Sequence, residues 1–276
     1  MSSLKNKTIF ITGASRGIGR EIALRCAKDG ANIVIAAKSD TPHPKLPGTI
    51  HSVAAEVEAA GGKALAIKLD VRDEAAIEAA LKLTADTFGG IDALINNASA
   101  IQLTPLQDTD IKRYDLIHSI NTRGVLVCSK LAAPYLKESS NPHIITLSPP
   151  INLGKQWLGG YIPYTITKYS MTLLALGIAE EFRKDGIASN TLWPKTTIAT
   201  AAVEFAIDKS LLDSSRTPAI MADAAYEILT TESSELSGET LIDETLLRER
   251  GVTEFDVYKN DPNCTELFMD LYVDPE

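Results

Sequence analysis

"KTIFITGASRGIGREIALRCA", residues 7–27, decides the fold. Its first six residues are β-branched or apolar apart from Lys7 and end at Thr12, the pattern of a strand buried on both faces. Gly13, Gly17 and Gly19 follow, and a helical pattern opens on them. Glycines in a strand-to-helix turn permit a tight bend, close approach of the backbone to a pyrophosphate, and close helix–sheet contact. The first N–H groups of the helix then face the phosphates. A glycine pattern alone is weak evidence, but this one stands between a strand and a helix, where the binding mechanism needs it. Gly13, Ser15, Arg16, Gly17, Ile18 and Gly19 are therefore candidate nucleotide contacts.

The alternation continues along the chain. Residues 7–12, 32–37, 63–69, 92–97, 143–148, 187–193 and 239–244 read as strands, and 19–29, 74–87 and 164–184 as helices. Short apolar strands alternating with helices imply βαβ units with right-handed crossovers. The expected fold class is α/β, a doubly wound, mostly parallel sheet of about seven strands with helices on both faces. Two segments break the pattern. "KSDTPHPKLPGT" (38–49) carries Pro42, Pro44 and Pro47 and must be loop. From residue 246 to 276, a short helix candidate and polar turns read as an extension packed on domain 1–245 or on a partner subunit.

Composition narrows the function. With 276 residues, 45% hydrophobic and 23% charged, the chain has the make-up of a globular domain with a full core. A formal net charge of −9 argues against nucleic acid and against an anionic membrane as partners. Cys26, Cys128 and Cys264 form no paired motif, and His43, His51, His118 and His143 show no ligand spacing, so no metal is expected. No signal peptide or spanning stretch appears in the sequence, and a cytoplasmic protein is the expectation.

The second strand ends in Ala37-Lys38-Ser39, without the carboxylate that would bond a ribose 2′-hydroxyl. Lys38 and Arg16 instead suit a 2′-phosphate through charge-assisted hydrogen bonds, so the expected cofactor is NADP. Tyr164 and Lys168, four residues apart, share one helix face. An ammonium beside a phenol favours the phenolate, which suits acid/base work on a carbonyl or alcohol while hydride moves to or from nicotinamide.

"TGASRGIG" (12–19), "NNAS" (96–99), Asn121 and "YTITK" (164–168), in this order and spacing, are similar to the short-chain dehydrogenase/reductase family over residues 5–245. The resemblance implies a Rossmann fold and a catalytic set of Tyr164, Lys168, Asn121 and a serine. It implies adenine contacts from Asp70 and Val71, ribose and nicotinamide contacts from Asn97 and Ala98, and a ribose contact from Lys168. Pro194 matches the family's Pro-Gly after the sixth strand, although Lys195 replaces the glycine. Thr196 and Thr197 are the carboxamide contacts by position, Thr197 first. It also implies a homo-oligomer, dimer or tetramer, built on the helix 164–184.

The substrate half departs from the family. Aligned on "HIITL", the position of the substrate-holding serine is Pro149, and Ser148 precedes it. Ser148 swung into place, Asn152 as a substitute donor, and no donor at all are the three readings. Leu153, Trp157, Leu158, Tyr161 and Ile162 in the loop 149–163, with the apolar face of 197–216 as a lid, suggest a small-molecule substrate that is hydrophobic, lipid-like or acyl. The expected function is NADP(H)-dependent oxidoreduction. The alternative is an NADP(H)-binding protein with little turnover, because the serine position is Pro149.

Overall fold

The computed structural model describes residues 3–274. Seven strands, β1 (Thr8–Thr12), β2 (Asn32–Ala37), β3 (Lys63–Lys68), β4 (Ala93–Asn96), β5 (His143–Thr146), β6 (Ala188–Trp193) and β7 (Thr240–Ile242), form one sheet in the order β3-β2-β1-β4-β5-β6-β7. Every pairing is parallel. The helices are α1 (Gly17–Ala27), α2 (Ile50–Ala59), α3 (Glu74–Phe88), α4 (Ile111–Leu136), α5 (Lys155–Gly159), α6 (Ile162–Glu181), α7 (Ala219–Thr230) and α8 (Asp243–Glu249). This is the doubly wound Rossmann architecture that the alternation predicts.

The two-residue period of the strands builds two cores. Ile9 and Ile11 of β1, with Ile33 and Ile35 of β2, pack with residues of α1, α2 and α7, whereas Phe10 and Val34 pack with residues of α3 and α4. Successive side chains of a strand point to opposite faces, so a strand covered on both sides needs apolar residues throughout. The order of connection reverses between β1 and β4, and in open α/β sheets ligands bind where the strand ends splay at such a reversal.

The C-terminal third differs from the sequence reading. β7 ends at Ile242, and Asp243 opens α8, so the boundary placed at residue 245 falls inside a helix. Asp243 and Glu244 sit in the first turn, where carboxylates complement the helix dipole. Phe255 and Tyr258 beyond α8 belong to the same core as α1 and α7.

Candidate active site

At the reversal, the exits of β1 and β4 are stitched together. The Thr12 hydroxyl accepts from the backbone N–H of Asn97 and of Ala98, both at 3.0 Å. The Asn97 amide donates to the carbonyls of Thr12 (2.8 Å) and Gly13 (3.1 Å). A Cβ on Gly19 would lie 2.5 Å from that same amide, so this glycine serves helix–sheet contact. Arg16 precedes α1 in extended conformation, and no side chain caps the helix. The first-turn N–H groups are thus left for a ligand, as phosphate binding at a helix N-terminus requires.

In front of them lies a cavity of about 460 Å³, lined by Gly13, Ser15, Arg16, Gly17, Ile18, Lys38, Asp70, Val71, Asn97 and Ala98 among others. These residues, nominated from the sequence, are brought together in one crevice. Ser39, Leu46, Ile120 and Thr200 also line it and escaped the sequence reading. The proline loop gives the reason for Leu46. Arg16 donates to the carbonyls of Pro47 (2.8 Å) and Gly48 (3.2 Å) and to the Ser39 hydroxyl (2.8 Å), which draws the loop onto the glycine turn. Gly48 has φ +75°, and a Cβ there would lie 2.2 Å from the Ser15 carbonyl oxygen. Lys38 stands at the rim, 3.4 Å from Asp70, whose carboxyl is held well below its ordinary range by Arg72 first and by Lys38.

Tyr164, Lys168 and Thr172 form one stripe of α6, a helix entered through Pro163 in its first turn. Both members of the Tyr164–Lys168 pair are buried. Lys168 Nζ donates to the Leu147 carbonyl at 2.7 Å and lies 4.9 Å from the centre of the Trp193 ring. Asn121 is buried within an unbroken α4. Its amide accepts from Ala100 N–H (2.8 Å) and donates to Ala100 O (3.0 Å) and to Thr167 Oγ1 (3.1 Å). It therefore ties the loop after β4 to the helix that carries Tyr164 and Lys168.

Comparison with known proteins matches this arrangement to a family. The model described as short chain dehydrogenase matches residues 7–209. This chain belongs to the short-chain dehydrogenase family. It is 52% identical over 267 residues to hydroxysteroid dehydrogenase-like protein 2 of Xenopus tropicalis, an alignment covering 97% of this chain and 63% of that protein. It is also 52% identical to a short chain dehydrogenase homolog from Mycobacterium thermoresistibile of solved structure, with a TM-score of 0.93 and coverage of 99% and 96%. A short chain dehydrogenase from Mycobacterium paratuberculosis, solved bound to NAD, shares the fold at 22% identity and a TM-score of 0.74. The chain thus spans less than two thirds of its curated relatives. Members of the short-chain dehydrogenase family are oxidoreductases that use a nicotinamide cofactor, and the crevice fits one by its uncapped helix start and its glycine walls. No helix of the described residues is long and apolar enough to cross a membrane.

The surroundings of the remaining candidate residues bear on their roles. Burial pushes the Tyr164 phenol well above its ordinary range, with the charges of Tyr272 and Asp270 adding to the rise. Burial lowers Lys168 to about 7, with Asp270 acting in the opposite sense. Burial is the first cause of both shifts, and it acts against the charged form of each group. Ser148 is fully buried, with its hydroxyl 3.0 Å from that of Thr172, two helical turns from Tyr164. Thr172 also lies 2.6 Å from the Pro149 carbonyl, so Ser148 and Pro149 are both held against α6. The amide of Asn152 is spent on Tyr272 O (3.3 Å), Asp274 (2.7 Å) and Gly154 N–H (2.9 Å).

Thr197 is likewise engaged. Its N–H donates to Phe268 O at 2.9 Å and its hydroxyl pairs with Ser215 at 2.8 Å. Thr196 instead keeps a buried hydroxyl without a hydrogen-bond partner among the described residues. Pro194 is buried beside them. The reason lies in Lys195, which stands where the family has glycine. Its backbone N–H donates to Asp243 and its ammonium reaches Glu244, while residues 268–270 run alongside the loop. Of the expected substrate set, Trp157, Leu158 and Tyr161 pack with Tyr164, but Leu153 is exposed. Thr200, Ala201 and Ala202 line the cofactor cavity, so the segment after β6 flanks the cofactor side.

Proposed function

We propose that this dehydrogenase transfers hydride between NADP(H) and the carbon of a carbonyl or alcohol group on a small, predominantly apolar substrate. The observation that carries the reading is the buried Tyr164–Lys168 pair on α6, in a chain whose glycine turn, Arg16 and Lys38 face one crevice. A bound nicotinamide supplies or takes up the hydride. In reduction, Tyr164 Oη gives its proton to the carbonyl oxygen as the hydride reaches the carbon. In oxidation the same oxygen accepts the alcohol proton. Lys168, oriented by Leu147, stabilises the phenolate so formed and restores its proton, and Asn121 positions the helix segment that bears both. Thr196, with its unpartnered hydroxyl, replaces Thr197 as the contact for a carboxamide.

NADP rather than NAD is supported by Lys38 and Ser39 directly after β2, where a carboxylate would otherwise stand, and by Arg16, which donates to Ser39 and lines the same crevice. An apolar substrate is supported by the cluster of Ile117, Tyr164, Tyr169 and Trp193. Homo-oligomer formation is supported by Ile166 and Leu173, which are exposed on α6, and by Leu126, exposed on α4. A second reading, cofactor binding with little turnover, is favoured by the orientation of Ser148 toward Thr172.

The test is Tyr164→Phe against a panel of aldehydes, ketones and alcohols, with NADPH and NADH titrated separately. Turnover should fall at least 100-fold with NADPH affinity unchanged. Residual activity equal to wild type on every substrate would remove Tyr164 from the chemistry. Equal affinity for the two cofactors, unmoved by Arg16→Ala, would remove the 2′-phosphate reading.

A further inference from the structure

We infer that Tyr272 sets the size of the substrate space beside Tyr164, a specificity role that rests on the reading of Tyr164 as the acid/base. Tyr272 is 1% exposed although it stands on a loop. Its ring centre lies 5.2 Å from that of Tyr169, 5.8 Å from Trp157, 6.2 Å from Trp193 and 6.3 Å from Tyr161. Its hydroxyl is 3.2 Å from Thr165 Oγ1, on the residue next to Tyr164. The aromatic cluster that would hold the apolar part of a substrate is therefore filled at its centre by a residue from outside the catalytic helix.

The ring is held there against a local cost. Tyr272 has φ +70°, in the left-handed region that side-chain-bearing residues rarely adopt. The chain on either side fixes it. Phe268 O accepts from Thr197 N–H at 2.9 Å, Asp270 N–H donates to Lys195 O at 3.0 Å, and Leu271 O accepts from Trp193 Nε1 at 2.9 Å. Beyond it, Asp274 accepts from Asn152 (2.7 Å) of the loop after β5 and from Gln156 (2.9 Å) and Trp157 (3.0 Å) of α5. Backbone strain that the surroundings enforce is a feature of sites that need a particular side chain in a particular place.

Little other room is offered at Tyr164, which is only 5% exposed. The cavity lined by Gln102, Thr104, Ile117, Pro163 and Tyr164 among others measures about 10 Å³, the space of a single water at most. An apolar group approaching the phenol needs volume from the aromatic cluster. Tyr169, Trp193 and Trp157 stand on α6, β6 and α5 and Tyr161 caps α6, whereas Tyr272 stands on a loop and is the member that meets all four other rings.

The chain's two tryptophans, Trp157 and Trp193, both touch Tyr272, so their emission reports on this space directly. The experiment titrates NADP⁺-loaded protein with 2-naphthaldehyde and reads tryptophan quenching, which needs no turnover. Tyr272→Ala should bind the probe at least tenfold more tightly than wild type, while Tyr272→Phe, which keeps the ring, should match wild type. The ratio of kcat/KM for 2-naphthaldehyde to that for propanal, measured with NADPH, should rise at least tenfold in Tyr272→Ala. Equal probe affinity in wild type and Tyr272→Ala, or the same gain in Tyr272→Phe, would overturn the assignment. Loss of NADP⁺ binding in both Tyr272→Ala and the milder Tyr272→Leu would also overturn it, since Tyr272 would then hold the fold instead of shaping the pocket. Tighter probe binding with no turnover in any form would count against Tyr164 as acid/base and leave the size role intact.

Discussion

Glu244→Gln should be among the most damaging single substitutions outside the apolar cores. Glu244 is buried at the start of α8, and its carboxylate holds three cations: Arg216 at 2.5 Å, Arg248 at 2.9 Å and Lys195 at 3.3 Å. Burial raises its carboxyl, but the hydrogen bond and charge of Arg216 outweigh that, helped by Arg248 and Lys195, and the net shift is downward. The Arg248 side chain is 54% exposed, so losing its partner costs little. The Arg216 side chain is 6% exposed, and its Nε and Nη1 have no hydrogen-bond partner among the described residues. Removing one member of such a buried pair costs about 3–5 kcal/mol, because the other charge stays buried without its counter-ion. In a protein of this size each kcal/mol moves the melting temperature by about 2–4 °C, so a drop of about 6–20 °C is expected. Circular-dichroism melts at fixed protein and salt concentration measure it. The double variant Glu244→Leu/Arg216→Met, which replaces the pair by apolar groups, should recover at least half of the loss. A melting temperature for Glu244→Gln within about 3 °C of wild type would refute the reasoning.

Three further outcomes follow from separate features. Gly48→Ala should weaken NADPH binding at least tenfold and destabilise the fold by about 1–2 kcal/mol, since the added Cβ meets the Ser15 carbonyl at a left-handed φ. An isothermal titration indistinguishable from wild type would contradict it. Burial raises Asp270 from 3.8 to about 7, so its proton is held better in the folded state. The associated stability is full below pH 3.8 and is lost as pH rises toward 7. Wild type should therefore lose melting temperature relative to Asp270→Asn over that window, and parallel curves would refute the assignment. Cys26 and Cys128 are buried, with burial pushing both thiols up to about 12, whereas Cys264 is partly exposed. A thiol reagent should label one cysteine in the native protein and three in denaturant. Fast native labelling of a second thiol would count against the burial.

The sheet and the cofactor crevice were readable because each rests on local pattern. An apolar run of five or six residues buried on both faces, such as "NIVIAA", has few alternatives, and β2 begins and ends where the pattern does. The glycine turn likewise carries its own geometry. The substrate half was not readable, because its determinants are contacts between distant positions. Nothing in "DLYVDP" marks Tyr272 as a partner of Trp157 and Tyr169, and nothing in "IDETL" marks Glu244 as the counter-ion of Arg216. The surroundings of Ser148 were hidden for a related reason. The sequence pattern carries the strand through 148, but β5 ends at Thr146, and the neighbour of the Ser148 hydroxyl is Thr172, which the fold brings alongside. Thr12, Ser39 and Gly48 carried a weak signal, since each adjoins a feature already singled out, the first strand's end or the proline loop.

The reversal of strand order between β1 and β4 has a consequence in time as well as in space. Ile9 pairs with Ile33 on one edge of β1 but with Ala93 on the other, so that second edge waits for a strand 84 residues further along the chain. At about 5–20 residues per second, a ribosome takes about 4–17 s to deliver it. Late in that interval, once β3 has been made, the nascent chain can hold β1, β2 and β3 side by side while the other flank of β1 remains unsatisfied. Non-local parallel pairings of this kind form slowly and are exposed to aggregation until they close. The geometry that opens a crevice for a nucleotide thus leaves the middle seam of the sheet open until β4 is made, and places the hazard of misassembly early in the life of the molecule.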